Sequence, residues 1–233
     1  MTRAPASERV RREWLRRVEA EYRSAAITQH LVLWLIQIGA SPDLVHAGLR
    51  IVRDELAHAS LSHRALVASG GEDKPRLARE TLGLSRSGDP LEDDVARACV
   101  DVFCLGETLA VRLFKALRDG CTVPAARRVL DRVLHDEVRH RDFGWALLEW
   151  LLDSPQGPAL HTLIVRELPR SVARLRAAYA PPGADQEAPL DADEVRWGLM
   201  PAARYRQVLA SAFERDHVPR FARLGVDARP AWA

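Results

Sequence analysis

Two six-residue stretches, RDELAH (53–58) and HDEVRH (135–140), carry carboxylates and imidazoles in the same order. In each, an Asp (Asp54, Asp136) precedes a Glu (Glu55, Glu137), and a His (His58, His140) follows the Glu by three positions. Residues three apart share a helix face, so each stretch aims one carboxylate and one imidazole in a common direction. With 15 Glu and 8 His in the chain, chance supplies roughly half of one Glu-x-x-His, and requiring the Asp lowers that to roughly a few hundredths. Two occurrences therefore mark a functional pair. Oxygen and imidazole donors in this combination are ligands for divalent transition metals.

Helical periodicity supplies the elements that would position them. Six segments read as helices, at about 8–39, 42–69, 90–119, 123–153, 157–180 and 202–224. Gly39, Ser41 and Pro42 separate the first two, and Gly120 and Pro124 the third and fourth, so each pair reads as an antiparallel hairpin. Between the hairpins lies GGEDKPRLARETLGLSRSGDP (70–90), a polar connection. About 20 extended residues reach about 60 Å, enough to run the length of a 30-residue helix. The expectation is an all-α chain: one domain over 1–233, a four-helix core bundle at 8–153 with a long crossover from helix two to helix three, and two accessory helices within 157–224.

Stepping each core helix by threes and fours gives its inward stripe. Helix four reads Leu130, Val133, Glu137, His140, Gly144, Leu147, and helix two reads Gly48, Ile51, Glu55, His58, Ser62. Helix three contributes Glu107 between Phe103 and Ala110, and helix one contributes Glu21, followed by Ser24, Thr28 and Leu31. Four buried carboxylates cannot coexist without compensating positive charge. These faces hold no lysine and one arginine, Arg17, near their edge. Two divalent cations would balance four glutamates and use both imidazoles. Height along the bundle agrees: Glu55, Glu107 and Glu137 lie about 20–22 Å from their hairpin turns. Glu21 lies nearer the level of His58, which leaves Glu19 as the competing ligand on helix one.

The set Glu21, Glu55-x-x-His58, Glu107, Glu137-x-x-His140 resembles the ferritin-like di-iron carboxylate superfamily, over about residues 10–153. DEVRH is similar to the DExRH stretch of its oxygenase branch. The resemblance implies a ferritin-like bundle with two iron ions held by those six residues, manganese or a mixed Mn/Fe pair being accepted by the same donors. It implies that Asp136 orients His58 and Asp54 orients His140, fixing the tautomers. Arg139 is expected to pair with a carboxylate, as a bundle-edge ion pair or within that supporting network. The implied activity is an oxidoreductase that activates dioxygen or peroxide and oxidises or oxygenates a small organic substrate, with electrons from an external donor. The alternatives are an iron-handling, ferroxidase or peroxide-scavenging protein, and a non-catalytic helical protein with a structural polar core.

Ser24, Thr28, Gly48 and Gly144, with Phe103 opposite, fall toward the first hairpin turn, and small residues there suggest either a substrate or oxygen pocket or close helix packing. The accessory helices are amphipathic and are expected to pack on the bundle or to form a homodimer surface. Composition excludes other classes. The net charge is +2 despite 32 Arg, because the acids nearly cancel them, so no nucleic-acid partner is indicated. The longest apolar run, LVLWLIQIGA (31–40), is about half a membrane span, so a cytoplasmic protein without a membrane partner is expected. Cys99, Cys104 and Cys121 lack CxxC spacing and read as buried or idle thiols.

Overall fold

The structure, a computed structural model, describes residues 5–181 and 188–232. Among these there is no strand. We number seven helices. The first is α1 (Glu8–Gln37), opened by Ser7, whose hydroxyl accepts from the Val10 amide, and closed by Gly39 at φ +72°, a left-handed turn that glycine adopts without strain. Pro42 and Pro124 sit at the first positions of α2 (Pro42–Ala68) and α4 (Pro124–Leu152), where a missing amide hydrogen costs nothing. Helix α3 spans 91–120 and is not uniform: α-helical Leu91–Ala98 widens into a π-helical run, Cys99–Glu107, before Thr108–Gly120 resumes α geometry. Wide turns of this kind are uncommon and recur at functional sites.

The four long helices close a ring in which α1 packs on α2, α2 on α4, α4 on α3, and the start of α3 meets α1. The connection 69–90 runs along α1. Its Arg76 amide donates to Glu19 Oε1 at 2.7 Å and its Leu84 amide to His30 Nδ1 at 3.0 Å. Those anchors are eleven residues apart, about 16 Å of helix. The crossover is thus real, and both hairpins lie antiparallel.

Two apolar cores stack along the bundle. One, around Leu31, Leu35, Ile51, Phe103, Phe143 and Leu147, fills the end holding the α1–α2 turn. The other, around Trp14, Leu66, Leu117, Val129 and Val133, fills the opposite end. The polar layer lies between them. Helix α5 (Gly157–Tyr179) lies against α3, tied by Arg97–Glu167 and Arg174–Asp101 ion pairs, and α7 spans 202–223, tied by Arg112–Asp216. Both therefore pack on the bundle, as one of the two expectations had it.

Between them lies a short helix that periodicity did not reveal, α6 (Ala192–Arg196). Asp191 caps it by accepting from the Glu194 amide while the Glu194 carboxylate accepts from the Asp191 amide. Among the described residues no helix is long and apolar enough to cross a membrane.

Candidate metal centre

Helical periodicity carries six ionisable side chains to one level. Glu21 of α1, Glu55 and His58 of α2, Glu107 of α3, and Glu137 and His140 of α4 are all buried, none more than 8% exposed. They form two overlapping groups, Glu21/Glu55/His58/Glu137 and Glu55/Glu107/Glu137/His140. Within each group one donor atom per residue lies within 4.8 Å of every other. Glu55 and Glu137 belong to both. His140 Nδ1 stands 3.1 Å from Glu55 Oε1 and 3.4 Å from Glu137 Oε2, and His58 Nδ1 stands 3.7 Å from Glu21 Oε2. Glu19, the competitor on α1, instead holds the crossover at Arg76.

The electrostatics show how poorly this cluster suits itself. Burial pushes the Glu55 carboxyl up to about 8, aided by the charges of Glu21 and Glu107 and opposed by His140. Burial and Glu137 hold Glu107 well above the carboxylate range. Burial alone would lower the imidazoles, yet the surrounding glutamates, Glu21 foremost for His58 and Glu137 for His140, raise them to about 9 and about 12. Even so, Glu55 Oε2, Glu137 Oε2, His58 Nδ1 and His140 Nδ1 remain buried without a hydrogen-bond partner. Buried polar atoms left without a partner are costly and rare. Four carboxylates and two imidazoles in two overlapping groups lie within metal-binding distance, and a cation in each group would satisfy the orphans.

Behind the imidazoles stands a lattice of opposite charges. His58 Nε2 is 3.0 Å from Asp136 Oδ2, whereas His140 Nε2 approaches Asp54 Oδ2 at 3.5 Å and has no hydrogen bond. Arg139 donates to Asp54 Oδ2 at 3.1 Å and to Asp136 Oδ1, so one guanidinium bridges both aspartates. Arg132 donates to Asp136 Oδ2 as well. Burial would raise the Asp136 carboxyl, but Arg132, His58 and Arg139 outweigh it and hold the group below the usual range. A carboxylate kept ionised there accepts the Nε2 proton and leaves Nδ1 free to face the cluster.

A cavity of about 410 Å³ opens beside the glutamates, between α1, α3, α5 and α7. Glu21, Glu55, Glu107 and Glu137 form one end, and apolar side chains including Leu113, Phe114, Leu117 and Leu175 form the walls. Of the expected pocket residues only Ser24 lines it. Thr28, Gly48, Phe103 and Gly144 do not, because their space is filled. A Cβ built on Gly144 would lie 2.4 Å from the Phe103 Cβ, and one on Gly48 would lie 2.7 Å from Val32 Cγ2. Small residues there mark close helix contact rather than a void.

No protein-family model, curated protein or solved structure matches the chain.

Several participants escaped the sequence reading. Arg132 could have been found from its i,i+4 spacing to Asp136. Tyr179 of α5 and Tyr205 of α7, which line the cavity, carry no local signal, because only tertiary packing brings those helices over the opening.

Proposed function

We propose that the chain is a dinuclear-metal oxidoreductase, with iron or a related metal pair, that uses dioxygen or peroxide to oxidise or oxygenate a small organic molecule, its electrons coming from an external donor. The observation that carries this is the pair of overlapping ligand groups sharing Glu55 and Glu137 at the end of an apolar cavity. Glu21 and His58 would serve one metal, Glu107 and His140 the other, and Glu55 and Glu137 both. Two redox-active metals held there would supply the electrons that reduce dioxygen.

The rest of the work belongs to the side chains. Asp136 accepts the Nε2 proton of His58, so that its Nδ1 lone pair faces inward. Arg139 and Arg132 fix the aspartates and thereby the plane of the ring. Leu113, Phe114 and Leu175 give apolar walls to the space where an organic substrate would lie against Glu21 and Glu107. The cavity favours an organic substrate over ferrous iron or peroxide alone, since neither needs apolar walls of this extent.

Anaerobic titration with Fe(II) tests the reading. Two metals per chain are expected, and Glu55→Ala should lose both, because that carboxylate belongs to both groups. Fewer than one bound metal per chain would refute it. Oxidation of many added Fe(II) ions per chain, in place of a stoichiometric burst followed by substrate-dependent oxygen uptake, would point to iron handling.

A further inference from the structure

The chain is close to electrically balanced, at +2, yet one face concentrates its cations. Along α2, Arg50, Arg53 and Arg64 recur at helical spacing, and along α4 so do Arg128, Arg132 and Arg139. The two stripes flank one groove, which Asp54 and Asp136 bridge from beneath. Arg139 of α4 donates to Asp54 Oδ2 at 3.1 Å, and Asp136 of α4 lies 3.0 Å from His58 Nε2 of α2. Arg50 stands one turn before Asp54, and Arg128 one turn before Arg132. Arg50, Arg53, Arg64 and Arg128 are exposed and take part in no ion pair among the described residues. The two aspartates are spent on Arg132 and Arg139, so the other four guanidiniums face solvent uncompensated.

Position gives this face a use. The cavity opens between α1, α3, α5 and α7, whereas the groove lies between α2 and α4, on the imidazole side of the cluster. From His58 the way out is two contacts long: Nε2 to Asp136, then Asp136 to Arg132, whose side chain is 52% exposed. Leu56 and Val138 are exposed beside these arginines. Apolar side chains set among guanidiniums suit a protein partner better than a bare polyphosphate.

We propose that the α2–α4 face docks the external electron donor, and that the donor is a protein carrying acidic side chains around its own redox group. The assignment deepens the function proposed above and rests on it. Opposite charge speeds encounter and orients the partner. Each docked donor is oxidised by one electron. In an oxygenation, two encounters supply the two electrons which, with two protons, turn dioxygen and one C–H bond into an alcohol and water.

A plant-type [2Fe–2S] ferredoxin, an acidic one-electron protein, serves as the probe. Reduced ferredoxin is mixed anaerobically with the iron-loaded, oxidised chain, and its reoxidation is followed by stopped-flow absorbance. The second-order rate constant should fall by about 10-fold or more as salt rises from about 0.01 M to about 0.15 M, over which the Debye length shrinks from about 30 Å to about 8 Å. At the lower salt, the triple reversal Arg53→Glu/Arg64→Glu/Arg128→Glu should slow the reaction by about 10-fold or more. Reduction by dithionite at the higher salt should change by less than about 2-fold. A rate indifferent to salt or to the reversal overturns the proposal. So does an equal slowing with dithionite, which would place the defect in the centre itself.

The three side chains are exposed, so the variant should fold as the parent does. Should it not, ferredoxin with its carboxylates amidated tests the same point on the parent, and an undiminished rate overturns the proposal. Calorimetry of ferredoxin with the metal-free and metal-loaded chain separates docking from the reading beneath it. Metal uptake without salt-sensitive ferredoxin binding sinks the docking face alone; salt-sensitive binding without metal uptake sinks the oxidoreductase reading and the electron donor with it. Tighter binding of a short DNA duplex than of ferredoxin overturns the donor in favour of a polyanion.

Discussion

Loading the centre with a divalent cation should expel about three protons or more per chain at pH 7. Glu55, raised to about 8, is about nine-tenths protonated at that pH, and burial beside Glu137 shifts Glu107 in the same direction. His58 and His140, raised to about 9 and about 12, are both imidazolium. Ligation needs a carboxylate oxygen and an imidazole lone pair, so Glu55, His58 and His140 must each give up a proton, while the Nε2 hydrogen of His58 stays with Asp136. Binding therefore tightens as pH rises. Between pH 6 and 7 the joint affinity for two metals should climb by about three decades or more, and the slope should fall above pH 8 as Glu55 loses its proton unaided. Calorimetry with Mn(II), at one pH in buffers of different ionisation enthalpy, reads the number directly as the slope of observed heat against buffer enthalpy. A release below one proton per chain, or an affinity flat from pH 6 to 8, would show that cations bind elsewhere than in this cluster.

Three further outcomes are expected. Asp136→Asn removes the charge that holds His58 and should weaken one metal by about 10- to 100-fold while sparing the other, read as a split in a two-site titration; equal weakening of both would contradict it. Gly144→Ala should cost about 1–3 kcal/mol in a denaturant melt, since its Cβ meets the Phe103 Cβ at 2.4 Å and the Phe103 carbonyl carbon at 3.0 Å; a neutral effect would mean that α3 and α4 part easily. His217, fully buried with Nε2 3.0 Å from the Leu105 carbonyl oxygen, is lowered by burial to about 4, below the ordinary value of 6.5. The folded ring stays neutral while the unfolded ring protonates, so its contribution is intact above pH 6.5 and is lost as pH falls toward 4. From pH 7 to 5 the parent should lose about 2 kcal/mol more than His217→Gln in urea unfolding.

The buried cluster of glutamates and histidines was legible because a helix repeats every 3.6 residues and apolar stripes tolerate interruption only where something compensates it. Glu55, His58, Glu107, Glu137 and His140 each break a stripe that is otherwise apolar or small, and the hairpin turns fix their common height. The more regular stripe favoured Glu21, but its height left Glu19 in competition. What separates them is the crossover, whose Arg76 amide takes Glu19, and the course of a linker without periodicity cannot be read from its residues.

The pocket was misplaced for a different reason. Glycine in an inward stripe removes side-chain volume, but helices respond by approaching, and α4 has closed onto α3 at Gly144 until Phe103 fills the space. The empty volume lies where α1 and the second half of α3 stay apart, along a face whose small members, Gly106 and Ala110, lie within the π-helical run and just beyond it. That gap would be a water-filled groove in a bare four-helix bundle. Ser171, Leu175 and Tyr179 of α5, with Tyr205 of α7, cover it and make it a cavity. The buried carboxylates and imidazoles thus belong to the four long helices, while the walls of the cavity beside them depend on two helices that add nothing to that cluster. The same division explains why spacing found the cluster and could not find the cavity: the clustered side chains lie on periodic faces, whereas the cavity walls are set by tertiary contacts such as Arg174–Asp101 and Arg112–Asp216, which no local pattern encodes.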